Sequence, residues 1–462
     1  MQSAPKLRAH LPPGRGVPEY VPGNRLTLLR NGEHYFPALV SAIDAATREI
    51  FLETYIFADD KTGSLIADAL ARAAARGVST RLLIDGFGSK DFPPRFRRNL
   101  SEAGVQILTF RPQVSPWPPW RQGTRLRRMH RKMACVDGAV AFVGGINIID
   151  DYNTPGQTPP RHDYSVRIEG PLVANVRAEA SRLWSRVSWA TLGRRWPGWR
   201  ALHRSEDHSG PRAAKALPEG QRAALVVRDN LRHRRDIELA YLKRIGAARE
   251  DIIIACAYFF PGRRLRLALA GAARRGVRVT LLLQGKVEYA LLHYASRALY
   301  GRLLGAGVRI YEYHRSFLHA KVAVFDDDAA CVGSSNIDPM SLLLAREANV
   351  FVEDRRFTGE LRQSLHHAMH EGARRVPLRT WRRMPVLKRL AIWAGYRVAR
   401  LLMAVYGYGR EHSAADGRRR NMPQPSMVMT VSPRWLTASQ RECTRPMPGL
   451  LSDGRAAVVV RR

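Results

Sequence analysis

His130-Arg131-Lys132-Met133-Ala134-Cys135-Val136-Asp137, followed by Gly144-Gly145-Ile146-Asn147, returns later in the chain as His319-Ala320-Lys321-Val322-Ala323-Val324-Phe325-Asp326, followed by Gly333-Ser334-Ser335-Asn336. His, Lys, Asp, Gly and Asn recur together at one offset of 189 residues. A single match to this pattern is weak; two matches with the same downstream residues are strong. His and Lys two apart on a strand point to one face, so an imidazole and an ammonium approach the same ligand. The apolar residues between Lys and Asp predict a strand whose other face is buried. The later Gly admits close backbone approach, and the Asn offers an amide donor.

The scaffold around the motif repeats as well. Ile43 to Leu52 matches Ile245 to Ile254, each the end of an amphipathic helix entering a buried strand. Arg76-Gly77-Val78 before Arg81-Leu82-Leu83-Ile84-Asp85-Gly86 matches Arg275-Gly276-Val277 before Thr280-Leu281-Leu282-Leu283-Gln284-Gly285, each a helix stop at Gly and then a strand. Ala103-Gly104-Val105 and Ala306-Gly307-Val308 repeat that signal. Strands alternating with helices predict an α/β sheet covered on both faces, in two copies. The expected divisions are a flexible segment 1–24, a first domain 25–192, a linker 193–222 and a second domain 223–371. A basic segment with an amphipathic helix (372–410) and a disordered tail (411–462) follow.

Joined face to face, the two motifs make a pocket with two imidazoles and two ammonium groups. A phosphodiester fits it: Lys132, Lys321, Asn147 and Asn336 would hold its oxygens. One of His130 and His319 can attack phosphorus while the other protonates the leaving oxygen. Two histidines with lysines alongside and no carboxylate or Cys cluster make a poor cation site. Asp137 and Asp326 lie five residues past their lysines, where tying down a loop is the favoured reading of the residues alone. Asp163, 33 residues after His130, and Glu347, 28 after His319, open the next strand of each copy. A carboxylate there would fix each imidazole's tautomer and orientation.

Composition bounds the partners. Lys and Arg number 75 against 40 Asp and Glu, a net charge of +35, which attracts nucleic acid, anionic lipid or phosphorylated ligands. Cys135, Cys256 and Cys331 sit in apolar runs and Cys443 in a polar one; no disulfide framework is suggested, which favours a reducing compartment. Met1 to Tyr20 has no apolar core of a signal peptide, and no run of uncharged apolar residues is long enough for a membrane span.

The duplicated motif resembles that of the phospholipase D superfamily. Leu52-Glu53-Thr54-Tyr55-Ile56-Phe57, Arg128 to Lys132, Asp163 to Pro171, Ala257 to Gly262 and Gly333 to Pro339 narrow the resemblance to the bacterial cardiolipin synthases, in particular their short type. The resemblance implies two tandem α/β/α sandwich domains related by a pseudo-twofold, with the active site between them. It also implies phosphatidyl transfer with no metal or other cofactor. His130 would attack the phosphodiester of phosphatidylglycerol and His319 would act as acid, then base; Asp137 and Asp326 count with the catalytic set of the motif. Phosphatidylethanolamine or glycerol are alternative substrates. A phospholipase or nuclease using the same histidines is the rival activity, and a non-enzymatic basic binder the third reading; nucleic acid is not the expected partner.

Two segments suit a membrane surface. Arg111 to Arg128 combines Trp117 and Trp120 with prolines and arginines. In Val386 to Tyr408, Leu387, Leu390, Ala394, Val398, Leu401 and Val405 follow helical spacing, with Arg389, Arg397 and Arg400 on another face, as in an interfacial helix or a helix docked on the core. The expected location is the cytoplasmic face of the bacterial inner membrane, peripherally bound.

Overall fold

The strand-forming runs of the two copies pair in the same order. The structure, a computed structural model, describes residues 18–112, 127–154, 158–192, 216–229, 232–287, 290–383 and 385–405. Trp117 and Trp120, most of the 193–222 linker and the 411–462 tail lie outside the described residues. The first copy holds β1 (Val21–Arg30), β2 (Glu49–Thr54), β3 (Ser79–Asp85), β4 (Gln106–Phe110), β5 (Lys132–Val136), β6 (Val140–Gly144) and β7 (Tyr164–Glu169). The second holds β8 (Gln221–Arg228), β9 (Asp251–Cys256), β10 (Arg278–Gln284), β11 (Arg309–Tyr313), β12 (Lys321–Phe325), β13 (Ala329–Gly333) and β14 (Glu347–Glu353), with a short β15 (Ala373–Arg375) at its edge.

Each copy runs outward from the centre in one pattern: β1-β7-β6-β5-β2-β3-β4 and β8-β14-β13-β12-β9-β10-β11. β1 and β8 pair antiparallel, so a single sheet of 15 strands crosses the pseudo-twofold. β2-β3-β4 and β9-β10-β11 are parallel, joined by helices, whereas the motif strands β5 and β12 are antiparallel to their neighbours. β1 starts at Val21, ahead of the expected boundary at Arg25. Asn24 explains the early start: its buried amide donates to the Val21 carbonyl (2.7 Å) and accepts from the Leu172 N–H (2.8 Å).

The expected helix stops are real. Gly77, Gly104, Gly276 and Gly307 each have a φ between +85° and +96°, which a side chain would strain.

Alternate residues of each strand feed different cores. Met133 and Cys135 on β5, with Val322 and Val324 on β12, join one cluster that spans both copies. The helices Leu172–Leu192 and Arg355–Gly372 cover that shared face. Ala134 and Val136 face a second cluster, and Ala323 and Phe325 a third, each belonging to one copy. A strand buried on both faces must be apolar at nearly every position, which accounts for the unbroken apolar runs after each motif Lys. The thiols of Cys135, Cys256 and Cys331 are free and buried in these layers. Because the central layer is common, the motif strands of the two copies are fixed relative to one another.

Candidate active site

The approach to each motif strand is stitched to the other copy. His130 N–H donates to the Arg346 carbonyl (2.9 Å), and Arg346 N–H to the Arg128 carbonyl (2.7 Å). The pseudo-twofold mate repeats this: His319 N–H donates to the His162 carbonyl (2.8 Å), and His162 N–H to the Phe317 carbonyl (2.9 Å). These bridges bring the residue after Arg346, Glu347, to His130, and the residue after His162, Asp163, to His319.

The carboxylates therefore cross over. Glu347 accepts from His130 Nδ1 at 2.9 and 3.2 Å, and Asp163 from His319 Nδ1 at 2.6 Å. Asp163 and Glu347 both lie at the imidazoles, each bonded to that of the opposite copy. With Nδ1–H given to the carboxylate, Nε2 of each ring carries the lone pair that can attack or take a proton. Both carboxylates are fully buried, whereas the imidazole side chains remain 17% and 12% exposed, enough for a ligand to reach them.

Lys132 and Lys321 are also buried, and each Nζ donates to the carbonyl of the motif His two residues before it. Lys321 Nζ lies 3.9 Å from Asp163. Four potentially cationic groups thus share one buried space, and they depress one another's protonation. Burial and the neighbouring lysines hold His319 far below the usual imidazole range. Burial also lowers His130, against the pull of Glu347. Burial brings Lys132 down to about 7 and lowers Lys321 as well. Burial favours neutral Glu347, but the facing His130 outweighs it and holds that carboxyl below its ordinary range. Asp163 is instead raised, by burial, with Lys321 opposing. A bound phosphodiester would favour the charged forms of all four groups.

Asn147 and Asn336 stand beside it, buried, each on the loop after its β6 or β13 strand. Their carboxamide oxygens accept backbone N–H groups, Ile56 at 3.2 Å for Asn147 and Tyr258 at 3.4 Å for Asn336. That fixes the carboxamide oxygen of each on its loop and leaves the NH₂ half as a donor.

Asp137 and Asp326 lie away from the imidazoles. They sit at the far ends of β5 and β12, five residues from the lysines, roughly 15 Å along a strand. Asp137 accepts the N–H groups of Thr47, Arg48 and Glu49 at 2.8–2.9 Å. Asp326 accepts those of Arg249, Glu250 and Asp251, with closest approaches of 2.8–3.1 Å. Both adopt a positive φ (54° and 49°), tolerable for Asp. They clamp the turn after the motif strand to the loop entering β2 or β9.

Three features had no reading from spacing alone. Ser334 Oγ donates to Glu347 at 2.5 Å, whereas its counterpart Gly145 has no room for a side chain: a Cβ there would lie 2.3 Å from Asp163. The motif's Gly/Ser difference is thus a fit to the shorter and the longer carboxylate. Tyr55 places its ring edge-on to His130 (4.8 Å between centroids) and 5.2 Å from Lys132 Nζ. Arg131 is buried in a paired hydrogen bond to Glu53 on β2, including one of 2.8 Å. Only the Gly/Ser alternation left a trace in the sequence.

A duplicated α/β sheet with two crossed His–carboxylate pairs and paired lysines is a site built to act on a phosphodiester. The PLD-like domain described as cardiolipin synthase matches residues 39–184 and 241–369. Cardiolipin synthase B of Escherichia coli K12 is 42% identical over 368 residues, covering 78% of this chain and 85% of that protein. A probable cardiolipin synthase of Bacillus subtilis is 30% identical over 362 residues, covering 78% and 69%. The crystal structure of phosphatidylserine synthase from Haemophilus influenzae shares the fold at a TM-score of 0.58 and 12% identity, over 81% of this chain and 93% of that one. The chain belongs to the cardiolipin synthase family.

Proposed function

We propose that the chain makes cardiolipin and glycerol from two molecules of phosphatidylglycerol, with His130 as nucleophile. The observation that carries this is the pair of Nδ1-anchored imidazoles with lysines beside both. His130 Nε2 attacks phosphorus, the P–O bond to the departing glycerol breaks, and His319 gives that oxygen its proton. The neutral His319 then takes the proton from a hydroxyl of a second phosphatidylglycerol. That oxygen bonds to phosphorus as the P–N bond breaks, and His130 is regenerated. Lys132, Lys321, Asn147 and Asn336 hold the equatorial oxygens, whose charge grows in the transition state. Glu347 and Asp163 stabilise the charged rings without taking part in bond making. Phosphatidylethanolamine or free glycerol fits the same two half-reactions.

The substrates lie in a bilayer, and among the described residues no helix is long and apolar enough to cross one. The helix Val386–Val405 supplies a surface contact. It buries Ile392 and Ala399 against the second copy, with Tyr396 packed on Phe260 at 5.7 Å. Its other side exposes Leu390, Trp393, Val398 and Leu401, with the Arg397 guanidinium over the Trp393 ring. An apolar stripe flanked by arginine suits an anionic headgroup layer. The setting is then peripheral attachment to the cytoplasmic face of a bacterial inner membrane, where phosphatidylglycerol is both substrate and anchor.

The test uses vesicles containing labelled phosphatidylglycerol, with EDTA present. Wild type should yield cardiolipin and glycerol, and neither His130→Ala nor His319→Ala should. Phosphatidic acid as the product would make the enzyme a lipase; DNA cleavage without lipid turnover would make it a nuclease.

A further inference from the structure

The two copies also differ at the ends of β3 and β10. In the first, Asp85 ends β3 fully buried and saturated: it accepts the N–H groups of Phe87 (2.8 Å), Gly88 (3.1 Å) and Met129 (2.9 Å). The loop it organises closes over Tyr55. Ser89 Oγ donates to the Tyr55 carbonyl (2.9 Å), and a Cβ on Gly88 would lie 2.8 Å from the Tyr55 ring. In the second copy the same position is Gln284, at the end of β10. It is 8% exposed, and neither Nε2 nor Oε1 has a hydrogen-bond partner. A buried amide with four unused valences costs free energy unless a ligand or water completes it.

Gln284 lines a small recess open to solvent, with about 30 Å³ of space for the centres of water-sized molecules, together with Tyr258, Phe260, Lys286, His293 and Ser296. The recess adjoins the chemistry. Its wall leaves β9 directly after Cys256, which pairs with Lys321. Ala257 N–H donates to the Ala320 carbonyl (3.0 Å), and Tyr258 N–H is the donor that fixes Asn336. The lining sets an amide, an imidazole, a hydroxyl and one ammonium among apolar and aromatic side chains, Phe259, Phe260, Leu283 and Tyr300 among them. Burial lowers His293, so its ring is neutral near pH 7 and both donates and accepts. Groups that each donate and accept match hydroxyls, which do the same; a second phosphate would want a set dominated by donors.

We propose that this recess binds the polyol headgroup of the incoming acceptor alcohol, with the Gln284 amide hydrogen-bonded to its hydroxyls. The inference rests on the transfer chemistry proposed above. It gives the pseudo-symmetric site a direction: the first copy closes the space beside Tyr55, and the second leaves a recess at Tyr258, on the segment that bonds to Ala320, the residue after His319.

The experiment reads the preference for a polyol over a simple alcohol, with the first half-reaction followed beside it. Wild type, Gln284→Leu and Gln284→Glu are given phosphatidylglycerol vesicles with EDTA and either labelled glycerol or 1-propanol as free acceptor. The first-turnover release of glycerol is followed in parallel. Wild type should favour glycerol over 1-propanol by about tenfold, near the value of one lost hydrogen bond. Gln284→Leu should bring that ratio to within about threefold and slow first-turnover glycerol release by a similar factor, because transfer to free glycerol is that same step run backwards. Gln284→Glu, nearly isosteric, should lose glycerol preference without losing its melting temperature, so a misfolded Leu variant does not stand in the way. An unchanged ratio in the folded variants, or a ratio that falls while first-turnover release does not, would overturn the subsite and leave the transferase reading intact. Absence of glycerol release from wild type would overturn both.

Discussion

Replacing Glu347 by Gln keeps the shape beside His130 but removes the charge that holds its Nδ1–H and stabilises the imidazolium. The expected loss in kcat is about 10²- to 10⁴-fold, with vesicle binding unchanged. Ser334→Ala, which deletes one donor to that carboxylate, should cost about tenfold and shift the pH profile of kcat, whereas a purely structural serine would change only the melting temperature. The two histidines separate by leaving group. On an aryl phosphodiester whose alcohol needs no proton, His319→Ala should regain much of its activity and His130→Ala none; recovery in the His130 variant would reverse the assignment. His130, Lys132, His319 and Lys321 were legible because a two-residue strand period placed twice is a local pattern. The partner of each imidazole was not. Asp163 and Glu347 were recognisable as strand-opening acids, but their crossing depends on backbone bridges such as His130 to Arg346, which no spacing encodes.

At the scale of elements, the Asp137 and Asp326 clamps join turns to loops, and their loss should be felt in folding. Asp137→Ala removes acceptors for three backbone N–H groups and should cost about 1–2 kcal/mol, seen as an earlier urea midpoint, with kcat per folded molecule preserved. A loss of kcat at unchanged stability would return Asp137 to the chemistry. The helix stops at Gly77 and Gly276 were readable because a left-handed residue after an amphipathic run has few alternatives to Gly. The helix Val386–Val405 was readable only in part. Its period showed two faces, but the residues that dock, Ile392 and Ala399, are not those of the apolar stripe, whose Leu390, Val398 and Leu401 are exposed. Docking follows from shape at Phe260 and Tyr396, where small or aromatic side chains fit. Trp393→Glu with Leu401→Glu should therefore leave the melting temperature unchanged and lower partitioning onto anionic vesicles by tenfold or more; unaltered flotation would exclude this helix as the contact.

For the whole molecule, the sheet that crosses the pseudo-twofold makes the four cationic groups one titrating unit. In the free site, burial lowers His130, His319 and Lys321, and brings Lys132 to about 7. A bound anion favours their charged forms and raises all four values. Groups whose pKa rises on binding take up protons, so affinity must fall as pH rises through the window above each free-state value. For Lys132 that window opens near pH 7 and extends towards its ordinary 10.5; for the imidazoles it lies lower, from their depressed values up through 6.5. Sulfate keeps its charge throughout and isolates the protein's share. Calorimetry in buffers of different ionisation enthalpy should show net proton uptake near pH 7.5, and sulfate inhibition should weaken steadily between about pH 6 and 9. Lys132→Met should remove most of the uptake at the alkaline end, while His319→Asn should remove part of that at the acid end. The net charge of +35 raises the attraction of every anion but titrates little in this range, so it cannot produce the slope. Proton release on binding, or an affinity independent of pH, would mean that the lysines are already charged in the empty site and that substrate binding need not recruit the protons His319 later delivers.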